Sequence, residues 1–241
     1  MGDAVNTPSH AVLNLAILGR RAHPEWNWPI VVGAVLPDLP IFLLWIVATA
    51  VWRQSQRQIW SETYFLPAWQ IAIDMLHSFP LLGLALAAST LWHLRRVQLL
   101  TASMLLHACV DVFLHGADAH RHFFPFSNYR FVSIVSYWDP AHHGRLVFQI
   151  EALVVVAASI FVSRIVRTRT GRGLLIATDA LYLAAVVALG FLIKSPDASA
   201  AKPRPGDAHR EPRPTPRRSR GRHTRRRHTR TPPLGCPNRP T

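Results

Sequence analysis

The feature that most restricts this chain is a series of long apolar stretches with ionisable residues set inside them. They lie at roughly 28–52, 66–92, 97–115, 146–163 and 174–193, with a shorter one at 11–18. The last, "LLIATDALYLAAVVALGFLI", is 20 residues long and holds a single charge, Asp179. Twenty helical residues span about the ~30 Å of a bilayer hydrocarbon core. Strand-like alternation is weak and regular turn signals are missing. The stretches therefore read as helices crossing a membrane, where every backbone polar group has to be satisfied within its own segment. The expected fold is all-α, a polytopic membrane helical bundle of about five or six apolar helices. Its partner is the lipid bilayer. Asp3 stands where a signal peptide would carry positive charge, so the start does not read as a secretory signal.

Charge divides the chain in two. Residues 1–193 hold 13 Arg and 10 acids, a balance of +3, whereas residues 194–241 hold 14 Lys/Arg and 3 acids, a balance of +11. The second part also has ten prolines and almost no large apolar residue. It has too little apolar surface to bury a core, and a disordered basic tail is expected. Such a tail suits anionic lipid or, more weakly, nucleic acid. The domain reading is an integral membrane domain over 1–193 and the tail over 194–241. The two cysteines, Cys109 and Cys236, imply no disulfide framework, and Cys109 reads as a small buried residue.

Arg53, Arg57, Arg95, Arg96, Arg164, Arg167, Arg169 and Arg172 flank the apolar stretches. If helices run alternately from 39–52, 60–77, 78–92, 97–115 and 146–163 to 174–193, these arginines share one face. The positive-inside rule makes that face cytoplasmic. The expected location is a bacterial inner (plasma) membrane. The same scheme sends the basic tail to the opposite face.

Ionisable side chains at membrane depth are costly and mark function. In "LLHACVDVFLHGADAHRHFFPF" (105–126), His107 and Asp111 are four apart and share a helical face. At 100° per residue His115, Asp118 and His122 fall on the same stripe, within about 80°, unless Gly116 ends the helix first. Imidazole and carboxylate form a ligand set for Zn, Mn or Fe. Further ligands are available at helix mouths: His10 in "TPSH", where Thr7 reads as a cap and Pro8 as the first helical residue; Asp38 between Pro37 and Pro40; and His77, three residues after Asp74. Structural alternatives exist for each. Asp38 also suits a helix cap, His77 a hydrogen-bonded bundle histidine, and Asp111 a partner for Arg121 or Arg130. The aromatic connector at 124–145 carries Tyr129, Tyr137 and Trp138, suited to the headgroup interface, and Arg121, Arg130 and Arg145 suit a substrate phosphate.

The segments "TPSH", "GAVLPDLP", "LHS" and "HACVD", in this order over roughly residues 7–160, resemble the recurring motifs of the YdjM-like family, described as membrane-bound, metal-dependent hydrolases. The resemblance implies His10, Asp38, His77, His107 and Asp111 as metal ligands. Its Asp-x-Asp is reduced here to Asp38-Leu39-Pro40 and its third motif to His77-Ser78. The order Asp, His, His-x3-Asp is also similar to zinc-dependent phospholipase C enzymes, which points to a phosphoester or lipid-like substrate. The expected function is hydrolysis at a divalent metal ion, Zn before Mn or Fe, with Asp118 and His120 as catalytic proton carriers. Its rivals are a haem-binding electron carrier using His77, His93 and His107, and a metal or proton transporter.

Overall fold

The computed structural model describes residues 6–136 and 142–194. Among these residues the chain is helical, with no strand. The elements are α1 (Asn6–Leu18), α2 (Asn27–Val35), α3 (Leu39–Ile46), α4 (Gln56–Ser61), α5 (Pro67–Leu76), α6 (Phe79–Leu91), α7 (Arg95–Asp111), α8 (Gly144–Val162) and α9 (Arg169–Lys194). The expected tail, like Tyr137 and Trp138, lies outside the described residues.

Three helical stretches are long and apolar enough to cross a membrane: Pro24–Val51, Gly144–Val162 and Arg169–Ala188. A fourth arises if α5 and α6, which meet at a 41° bend, count as one span. This is fewer than the five or six of the sequence reading. Residues 39–52 are not a pass of their own but the second half of Pro24–Val51. Nor is α7 a pass of its own, since it begins with two arginines and stops after 17 residues at Asp111. The outward faces of the spanning helices are apolar, with Leu43, Ile46, Leu153, Ile160, Leu174 and Ile176 all exposed. A water-soluble fold rarely presents so much contiguous apolar surface, whereas lipid tails accept it.

Two of the spans are broken, and the breaks have a common local cause. In Pro24–Val51 the α-helix tightens to a 3-10 turn at Leu36–Asp38. Pro37 and Pro40 lack the N–H groups that would continue an α-helical ladder. In the other span α5 ends at Leu76 and α6 restarts at Phe79, its first turn capped by Ser78 Oγ, which accepts from Leu81 N at 3.2 Å. The pentapeptides Leu36-Pro37-Asp38-Leu39-Pro40 and Leu76-His77-Ser78-Phe79-Pro80 thus do the same job. Each ends one helix and opens the next with a proline in the first turn.

The core forms where α1, α2, α7 and α8 meet, around Val12, Leu15, Ile30, Leu99, Ala152 and Val155, with Tyr182 of α9 against it. Within an apolar solvent, close packing and interhelical hydrogen bonds hold such a bundle, and each bond contributes on the order of 0.6 kcal/mol. Asn14 Nδ2 donates to Ser103 O and Oγ at 2.9 and 2.8 Å, and Ser103 Oγ donates to Ile30 O at 2.6 Å. Between α8 and α9, Ser159 Oγ donates to Asp179 Oδ1 at 2.7 Å, so the single charge of the 174–193 stretch is hydrogen-bonded to the neighbouring helix.

These contacts fix direction. Ile30 pairs with Ser103 and Ala34 with His107, so α2 and α7 run parallel. Trp26, at the start of α2, lies under the Arg95 guanidinium at the start of α7, 4.6 Å from ring centroid to Cζ. The chain from Trp26 to Val51 therefore leaves the Arg95 end, and Arg53 and Arg57 sit toward the other. The eight flanking arginines do not share one face. That expectation fails because it began a separate pass at residue 39.

The parallel contact depends on Gly33. A Cβ there would stand 2.3 Å from Leu100 O and 2.9 Å from the Ser103 Cβ. Gly33→Ala is expected to push α2 from α7 at an overpacking cost of about 1–3 kcal/mol, read as a lower thermal unfolding midpoint in detergent. Gly83→Ala, whose new Cβ meets nothing within 4 Å, is expected not to lower it.

Candidate metal centre

The two helix breaks, the start of α1 and the end of α7 converge on one buried polar cluster. One ligand atom from each of Asp38, His77, His107 and Asp111 lies within 4.8 Å of the others. His77 and His107 are fully buried and Asp111 is 2% exposed. His107 Nε2 stands 3.0 Å from Asp111 Oδ2 and 3.5 Å from Asp38 Oδ1, and His77 Nε2 stands 3.3 Å from Asp111 Oδ2. Four ligands at 2.0–2.1 Å around a tetrahedral ion are separated by about 3.3 Å. The donor spacing therefore fits a divalent cation.

Hydrogen bonding supports the same reading. His77 Nδ1 donates to Ile73 O at 2.8 Å and His107 Nδ1 donates to Ala34 O at 2.7 Å. A proton fixed on Nδ1 leaves the Nε2 lone pair aimed at the cluster, the arrangement that metal-bound histidines use. Both Nε2 atoms are buried and lack a hydrogen-bond partner despite their nearness to carboxylate oxygens. Buried polar atoms without partners are rare and costly. A shared cation would satisfy them together.

Of the five residues expected as ligands, the fifth, His10, stands slightly apart. Its Nε2 is 3.2 Å from the other Asp111 oxygen, Oδ1, and its ring stacks on His107 with centroids 3.9 Å apart. It supports the Asp111 carboxylate and lies outside the four-atom group. Asp38 makes no side-chain cap on α3. Its Oδ2 instead accepts from Thr7 Oγ1, so Thr7, read as a helix cap in the sequence, orients one of the carboxylates of the cluster.

α7 ends at Asp111, so the single stripe expected from His107 to His122 does not form. The last turn tightens, with Leu114 N bonded to Asp111 O at 3.0 Å, and Ser133 Oγ donates to Phe113 O at 2.7 Å. Partners of this kind replace the helical bonds that terminal carbonyls lose. The irregular connector 112–136 then folds back over the cluster. His115 Nδ1 binds Asp118 Oδ2 at 2.7 Å, which turns its Nε2 toward Asp111 Oδ2 at 3.8 Å. His120 is 1% exposed, with its ring 4.2 Å from that of His77 and 4.8 Å from that of His115. Neither His120 nitrogen has a hydrogen-bond partner. Burial and the neighbouring imidazoles of His77 and His115 keep it neutral, well below the ordinary histidine range. The same causes push His122 down to about 4.

Comparison with protein-family models, curated proteins and solved structures gives no match for this chain. The geometry alone carries the assignment of residues.

Asp74 is fully buried but belongs to no candidate ligand group. It accepts from Arg121 N at 2.8 Å and from Arg121 Nε at 2.6 Å. Arg130 donates to Ala119 O, and to Gln70 Oε1 at 3.0 Å. Both arginines therefore fasten the connector to α5, and only Arg145 of the three considered for phosphate is exposed. Cys109, expected to be buried, is exposed on α7.

Removing one partner of a buried ion pair strands the other, at a cost of about 3–5 kcal/mol. Asp74→Ala is expected to lower the unfolding midpoint and to open 112–136 to limited proteolysis. Asp74→Ala combined with Arg121→Ala is expected to be less damaging to the midpoint than Asp74→Ala alone.

Proposed function

We propose that this chain is a membrane-embedded, metal-dependent hydrolase of the YdjM-like kind, acting in a bacterial inner membrane on a phosphoester or lipid-like substrate. The observation that supports this most is the gathering of Asp38, His77, His107 and Asp111, with both imidazoles held by Nδ1–H bonds to backbone carbonyls. The mixed imidazole and carboxylate set favours Zn, with Mn or Fe next. A bound ion would supply Lewis acidity, polarising the scissile oxygen and acidifying water.

The protein residues have separable duties. Asp38 and Asp111 supply negative charge, and Thr7 and His10 fix the orientation of those carboxylates. Asp118, on His115 and with a quarter of its side chain exposed (24%), carries protons between the buried cluster and solvent. A largely apolar cleft of about 190 Å³, lined by Phe79, Val112, His122, Phe123, Tyr129 and Phe131, opens beside the centre. It suits the apolar part of an amphiphilic substrate, which supports the lipid-like reading.

The ring centroids of His77 and His107 are 5.3 Å apart, which leaves no room for a porphyrin between them. A second reading, an ion carrier, draws support from the two broken spans that meet at the cluster. Zinc flux into proteoliposomes, against hydrolysis of chromogenic phosphodiesters and short-chain esters, separates the two.

The hydrolase reading predicts that detergent-purified protein retains divalent metal and cleaves one of these ester classes. Chelation is expected to abolish turnover and added Zn to restore it. His107→Ala is expected to keep the helical circular dichroism while losing metal and at least about 100-fold in activity, since even the residues that support ligands typically contribute 10–100-fold. Protein that carries no metal by elemental analysis sinks the proposal.

A further inference from the structure

The cluster offers more donors than one ion uses. A second group, Asp111, His115 and His120, also has one ligand atom from each residue within 4.8 Å of the others. It meets the first group at Asp111. Its two histidines come from the connector, whereas Asp38, His77 and His107 come from the bundle helices and their breaks.

We propose that the centre holds two divalent cations with Asp111 shared between them, the second ion held by His115 and His120. This rests on the metal reading of the first group. Each residue of the second group has the form a ligand needs. Asp118 takes the Nδ1 side of His115 at 2.7 Å and points Nε2 to the cluster, as the carbonyls of Ile73 and Ala34 do for His77 and His107. His120 supplies the independent observation. It is 1% exposed, lies between His77 and His115, and has no hydrogen bond to either ring nitrogen. An imidazole buried with both nitrogens unsatisfied sacrifices its hydration for nothing, unless one nitrogen binds a group that the polypeptide does not provide. Asp111 has the position of a bridge. Its Oδ2 lies 3.0 Å from His107 Nε2 and 3.3 Å from His77 Nε2 of the first group, and 3.8 Å from His115 Nε2 of the second.

The proposal moves His120 from proton carrier to ligand. It also gives the reaction class a sharper outline, because paired cations a few Å apart are a recurrent device for displacing an oxygen leaving group from phosphorus or carbonyl carbon.

The test is metal stoichiometry on the full chain in detergent, loaded with Zn²⁺ and freed of excess. Wild type is expected to hold about two equivalents, as two-metal centres do, and His115→Ala and His120→Ala about one. A second measurement reads the coupling between the ions directly. Wild type loaded with Mn²⁺ is expected to show the electron paramagnetic resonance of an exchange-coupled pair, and His120→Ala the six-line pattern of an isolated ion. If wild type holds one ion that His107→Ala removes and His120→Ala does not, the second position is refuted while the first stands. If wild type holds no ion, both readings fall. A six-line signal from fully loaded wild type also overturns the shared-carboxylate proposal.

Discussion

A carboxylate in the middle of an apolar bundle has to be compensated, and Asp111 is where this fold meets that demand. It is 2% exposed and lies within 4 Å of His10, His77, His107 and His115. In a low-dielectric interior an uncompensated charge is costly enough to unfold a small domain. The start of α1, both helix breaks and the connector all come to this point. The geometry of the bundle around it follows: α2 parallel to α7 through Ser103 and His107, and α1 joined to α7 through Asn14.

Broken helices are how the fold delivers the compensation. A continuous helix projects side chains outward from an axis and keeps its own carbonyls occupied. At Leu36–Asp38 and Leu76–Phe79 the ladder is interrupted, and there candidate ligand side chains occur together with backbone carbonyls that accept from imidazoles. Ile73 O and Ala34 O are the acceptors that set the histidine tautomers. Irregular backbone is tolerated at this depth because it is buried in protein rather than facing lipid.

Much of the centre was legible in the residues. Spacing placed His107 and Asp111 on one face, and the prolines around Asp38 and Pro80 announced the two breaks. The parts that were not legible depend on long-range pairing. Asp74 was available as a ligand by composition, and only its contact with Arg121, 47 residues away, shows it to be a fastener. Thr7 had the local signature of a helix cap, and its hydroxyl instead reaches Asp38, 31 residues on. The helix count was high because hydropathy does not reveal that α5 and α6 meet at a bend and make at most one span, or that α7 ends where the polar centre starts. His115 and Asp118 fell on the predicted stripe, but what joins them is a turn. Gly116, whose N–H donates to Asp118 Oδ1 at 3.1 Å, was the residue that signalled it.

The buried salt link from α5 to Arg121 divides the centre mechanically. Asp38, His77 and His107 stand on the packed bundle, while His115, His120 and His122 ride on a loop whose position depends on Asp74, Gln70 and a few main-chain contacts. The two halves therefore rest on different foundations, and an ion pair formed 47 residues apart sets where the loop histidines stand, so a change at Arg121 reaches the cluster without touching any of its histidines.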